Sequence, residues 1–139
     1  IANASENDRI YLYDFGQHIG IAFQIQDDIL DLYADPEKFG KQVGGDIQSN
    51  KKTFLMIHAL ETAKGDMLAE LHQLMKQEDK DKVEKVLAIY KACGIDLWAN
   101  ALKEQYLEKA FVHLEEIAVS KERKASLVEL AHYLIKRDK

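Results

Sequence analysis

Apolar residues recur at three- and four-residue steps along most of the chain, and helix breakers are sparse, with one proline and seven glycines in 139 residues. That period matches the turn of an α-helix, and no stretch alternates as a half-buried strand does. Five or six helices are predicted. The first covers about residues 9–33, opens near the polar stretch 5–8 and ends before Pro36, which disfavours helix at Asp35. Apolar on nearly every side, it is expected at the centre of a bundle. A loop is expected over residues 34–50. One broken helix or two should follow over 53–63 and 67–75, separated near Gly65 and Asp66. Val83, Val86, Leu87 and Tyr90 form the next stripe, which stops at Gly94, a suitable C-terminal cap. Leu102, Tyr106, Ala110, Leu114 and Ile117 mark a helix over 95–117. Ser120 suits the N-cap of the last, whose stripe is Leu127, Leu130, Ala131 and Leu134. The expected fold class is all-α, a helical bundle.

Composition and charge narrow what such a bundle does. The length suits one compact domain or a piece of a larger one. A formal charge of -5 argues against nucleic acid or anionic lipid as a partner, since neither meets a basic patch here. The single cysteine, Cys93, precludes an internal disulfide and fits a reducing, cytoplasmic setting. No run approaches the roughly 20 apolar residues of a membrane span, and residues 1–9 lack the regions of a signal peptide. The sequence begins with Ile rather than Met, so a fragment of a longer chain is expected.

Residues 20–53 break the apolar pattern in a way that points to chemistry. Asp27, Asp28 and Asp31 stand among Ile21, Phe23, Ile25, Ile29, Leu30 and Leu32, where ionised carboxylates are costly unless paired or metal-bound. On a helix, Asp27 and Asp31 lie roughly 40° apart with Gln24 one turn before them, and Asp28 falls at the edge of that face. Carboxylate oxygens with retained water suit Mg²⁺, and no His/Cys set suits zinc. The following segment adds cations. Gly40, Gly44 and Gly45 permit close backbone approach, Lys41 and Lys51 are placed to hold phosphate oxygens, and Asp46 is placed to orient a lysine or a metal-bound water.

FQIQDDILD at residues 23–31, followed by GKQVGGDIQSNK at residues 40–51 and then Thr53, resembles the second aspartate-rich region of the trans-isoprenyl diphosphate synthases, the polyprenyl synthetase family. YLEKAFVHL at residues 106–114 and the terminal YLIKRDK resemble the closing segments of that family more weakly. The resemblance implies the C-terminal part of the class I isoprenoid synthase fold over residues 1–139. It implies that Asp27, Asp28 and Asp31 bind Mg²⁺, with Asp27 the principal ligand of an ion bridging the allylic diphosphate. Gln24 matches a residue near the reacting allylic carbon. Lys41 and Lys51 match lysines on the allylic diphosphate, Asp46 an acid supporting them, and Lys136, Arg137 and Lys139 a basic tail over the diphosphate of isopentenyl diphosphate. The implied reaction is ionisation, condensation and elimination, in a homodimer.

The family uses two aspartate-rich motifs, and this chain contains only the second. The chain alone is therefore expected to be inactive, and its uncovered apolar faces are expected to associate. A terpene cyclase is disfavoured because cyclases usually carry an Asn/Ser/Glu pattern in place of the second DDxxD. A noncatalytic helical partner retaining one half-site is the reading from another class. Glu129 and His132 have the spacing used by di-iron bundles but lack the second pair those sites need.

Overall fold

The structure, a computed structural model, describes residues 3–33, 37 and 43–136. Among them the chain is helical without strands: α1 (Glu6–Tyr33), α2 (Gly45–Gln48), α3 (Phe54–Thr62), α4 (Gly65–Lys76), α5 (Lys82–Ala92), α6 (Ile95–Glu116) and α7 (Lys121–Ile135). The all-α expectation holds. The break between α3 and α4 falls at residues 63 and 64, and Gly65 adopts φ 59° there. Gly94, at φ 63°, ends α5 in the left-handed conformation that favours glycine. Ser5 Oγ accepts the Asp8 amide at 3.0 Å and so starts α1. Ser120 starts α7 through its backbone carbonyl, which accepts Arg123 and Lys124 amides, without a side-chain cap bond.

Two differences from the sequence reading concern the first helix and its loop. Helix α1 buries a stripe of Phe15, Ile19, Ala22, Ile25, Ile29 and Leu32, while Ile10, Leu12 and Tyr13 are exposed. Its residues are apolar on several sides, but among the apolar ones only the stripe spaced by three and four is buried. Within the expected loop, residues 45–48 close into α2, a single turn too short to show a hydrophobic period.

The chain divides into two compact units, residues 1–26 with 101–139, and residues 27–100. In the first, Phe15 and Ile19 pack with Ala110, Leu114, Ile117 and Ala131. Asp8 Oδ1 accepts the Ala118 amide at 2.9 Å, which fixes the turn before α7. In the second, Leu55, Met56, Leu71, Val86, Ile95 and Tyr90 are fully buried. Each such side chain contributes roughly 1.5–3 kcal/mol by leaving water. His58 stacks on Trp98 with ring centroids 3.7 Å apart. No helix among the described residues is long and apolar enough to cross a membrane.

Candidate active site

The last turns of α1 carry the acids, and residues 43–54 fold against them within the second unit. Asp28, 7% exposed, accepts the Phe54 amide at 3.3 Å. That amide opens α3, where backbone N–H groups lack intrahelical partners and the helix end is partially positive. Lys51 Nζ stands 3.6 Å from the other Asp28 oxygen. Burial still dominates and pushes the Asp28 carboxyl above its ordinary value, against the opposing pull of the Phe54 amide and Lys51. Asp28 is thus an acid whose desolvation its protein neighbours offset only in part.

Asp31 grips the loop with two groups. Its Oδ2 accepts the Asp46 amide at 2.9 Å, and its backbone carbonyl accepts the Gly44 amide at 2.7 Å. Gly44 has φ 75°, and a Cβ there would lie 2.5 Å from Val83 Cγ1, so both conformation and space require glycine. From this anchorage Asp46 reaches Lys51, Oδ2 to Nζ at 3.0 Å, while its carbonyl accepts the Lys51 amide at 2.9 Å. The Asp46 bond chiefly holds the Lys51 ammonium above its ordinary value. Lys51 stays more than half exposed, so this cation faces water with a fixed direction. Below it, Thr53 Oγ1 accepts the Met56 amide at 3.1 Å as the N-cap of α3, and Tyr90 lines the same recess as Thr53. Burial pushes that phenol well above the ordinary tyrosine range.

The structure brings Asp28, Asp31, Asp46 and Lys51 together. Asp28 turns toward the loop rather than lying at the open edge of an Asp27–Asp31 face. The loop's backbone donors, invisible in a helical projection, account for this. Asp27 is half-buried and Gln24 exposed on α1. The neighbouring Gln26 is the buried amide, its Oε1 accepting Lys103 Nζ at 2.9 Å. Lys136 is the exposed C-cap of α7. Lys41, Arg137 and Lys139 lie outside the described residues. Periodicity gave no reason to single out Asn50 or Lys82 and marked Tyr90 only as part of an apolar stripe; the turn chemistry of an Asn after Ser is a signal that could have flagged the first.

Among the described residues no three His, Cys, Asp or Glu side chains gather closely enough to hold a metal ion unaided. The donor chemistry nevertheless fits a hard cation that completes its shell with water and phosphate oxygens. The partly compensated carboxyl of Asp28 is the observation that favours the fit.

The sequence profile of the family described as Polyprenyl synthetase matches residues 1–93. The chain belongs to the polyprenyl synthetase family. Among its relatives in that family, the octaprenyl diphosphate synthase of Escherichia coli (strain K12) is 31% identical over 140 residues, covering 100% of this chain and 43% of that protein. The geranylgeranyl diphosphate synthase of Sulfolobus acidocaldarius is 36% identical over 142 residues, again covering 100% of this chain and 43% of that protein. The crystal structure of geranylgeranyl pyrophosphate synthetase from Pyrococcus horikoshii superposes with a TM-score of 0.86 at 33% identity, covering 96% of this chain and 40% of that one. The chain therefore spans less than half the length of the curated relatives it matches. The polyprenyl synthetase fold is the helical fold expected from the resemblance.

Proposed function

We propose that the complete protein is a prenyltransferase that joins isopentenyl diphosphate to an allylic diphosphate, giving a longer all-trans prenyl diphosphate. The observation that carries this reading is Lys51, aimed by Asp46 and set 3.6 Å from the buried Asp28, because it places a water-facing cation beside a buried carboxyl group that can ligate a metal. Lys51 and Lys41 bind the allylic diphosphate, with Asp46 fixing the direction of Lys51. Asp27, Asp28 and Asp31 hold Mg²⁺, which when bound stabilises negative charge on the departing diphosphate.

Gln24, exposed on α1, orients the allylic group, and Lys136, Arg137 and Lys139 bind the second diphosphate. In the reaction the allylic C–O bond breaks and its electron pair leaves with diphosphate. The isopentenyl double bond then attacks the cationic carbon, and the released diphosphate takes the proton that forms the new double bond. Fixed lysines stabilise the leaving group without reorganising, and apolar side chains exclude the water that would quench the cation. The reading places a homodimer in the cytoplasm, in keeping with a free Cys93.

Since the chemistry calls for both aspartate-rich motifs and this sequence carries only the second, the 139-residue chain does not turn over by itself. The test is Mg²⁺-dependent incorporation of labelled isopentenyl diphosphate by the product of the complete reading frame, with this chain in parallel. Extension by the longer protein alone is expected. Failure of a folded longer protein would favour a noncatalytic helical partner.

A further inference from the structure

Lys82 is 3% exposed although it is a lysine, and its Nζ donates to Asn50 Oδ1 at 2.6 Å. An amino group is costly to bury unless a partner compensates it. Helix electrostatics do not account for its place. Lys82 is the first residue of α5, at the helix end that favours acids over bases. The partner explains it. Asn50 has φ 56°, one of two non-glycine residues in the left-handed region among those described, and it lies between α2 and Lys51. Asparagine tolerates this conformation better than other side chains of its size, and there its backbone turns the chain so that Lys51 folds back onto Asp46. Glycine would satisfy the backbone more easily. Asparagine adds the oxygen that Lys82 binds.

We propose that Lys82, acting through Asn50, is a positioning residue for the anion-binding loop, holding Lys51 and Asp46 in the geometry that receives diphosphate. The inference rests on the proposed function for the identity of the anion. It deepens that reading by assigning the loop's support to α5, whose Val83 and Tyr90 bear on the same loop at Gly44 and Thr53. Lys82 itself touches no substrate. Its effect reaches the site through one hydrogen bond and one left-handed residue.

Asn50→Gly separates the two roles of asparagine, since it keeps the turn and removes the acceptor. Asn50→Asp keeps both. Inorganic diphosphate with Mg²⁺ is titrated calorimetrically into the unaltered chain and into Asn50→Gly, Lys82→Met, their double variant and Asn50→Asp, with helix content followed by circular dichroism. Hydrogen exchange of the amides at residues 46–51 is measured on the same proteins without ligand. Asn50→Gly and Lys82→Met are each expected to weaken diphosphate binding about tenfold, the scale of one hydrogen bond to a charged partner. The double variant is expected to bind no worse than the weaker single one, and Asn50→Asp to bind as the unaltered chain does. Exchange should quicken in parallel in the two single variants and stay unchanged in Asn50→Asp.

Unchanged exchange in Asn50→Gly, or penalties that add in the double variant, would overturn the inference. If Lys82→Met loses helix, Asn50→Gly, which leaves α5 intact, decides alone. An unaltered chain that binds no diphosphate counts against the proposed function, and exchange then still decides whether Lys82 holds the loop.

Discussion

Asp28 shows how burying one carboxyl group can oppose the stability of the fold. Its folded carboxyl is held above the ordinary value by burial, so the native state takes up protons more readily than the unfolded chain. The stability it contributes is fully present below the unfolded value near 3.8 and is lost as pH rises through the higher folded value. Asp28→Asn, which still accepts the Phe54 amide, should therefore raise the urea midpoint at pH 7, with the gain vanishing at pH 3. A variant less stable than the original at pH 7 would show that Lys51 and the Phe54 amide already compensate the charge. Gly44 is the other residue with a sharp expectation. Gly44→Ala combines a left-handed backbone with a Cβ 2.5 Å from Val83 Cγ1, and should cost about 2–4 kcal/mol in chemical denaturation. Val83→Ala should return part of that loss by making room, whereas two independent penalties would mean the contact does not limit the site.

At the scale of elements, α3 ties site and core through its first turn. Thr53 caps Met56 and lines one recess with Tyr90, and Phe54 lends its amide to Asp28. Thr53→Ala should lose about 1 kcal/mol of stability by removing the cap, and Thr53→Ser should keep most of it, as thermal unfolding would show. The helices themselves were legible because their apolar stripes run for several turns, as with Leu102 to Leu114 in α6. Helix α2 was not legible, since a single turn has no period and its existence depends on Asp31 accepting from Gly44 and Asp46. The partition of α1 into a covered stripe and an open side was equally hidden. Ile10, Leu12 and Tyr13 are as hydrophobic as Phe15 and Ile19, and only tertiary packing distinguishes them.

For the whole molecule, the resemblance of residues 23–31 and 40–51 to an aspartate-rich region pointed to the family before any geometry, and that membership is shown over residues 1–93. Spacing did not convey which acid meets which lysine. Asp28 and Lys51 are 23 positions apart, and their meeting depends on the left-handed Gly44 and Asn50 between them. We propose that this arrangement holds a diphosphate together with Mg²⁺. Its most direct test is equilibrium dialysis of a labelled, non-ionising allylic diphosphate analogue against this chain and against Lys51→Met, each with and without Mg²⁺. Binding that needs Mg²⁺ and falls at least tenfold in Lys51→Met is the predicted result. Binding indifferent to both the metal and Lys51, or no binding by a folded chain, would rule this arrangement out as the diphosphate site.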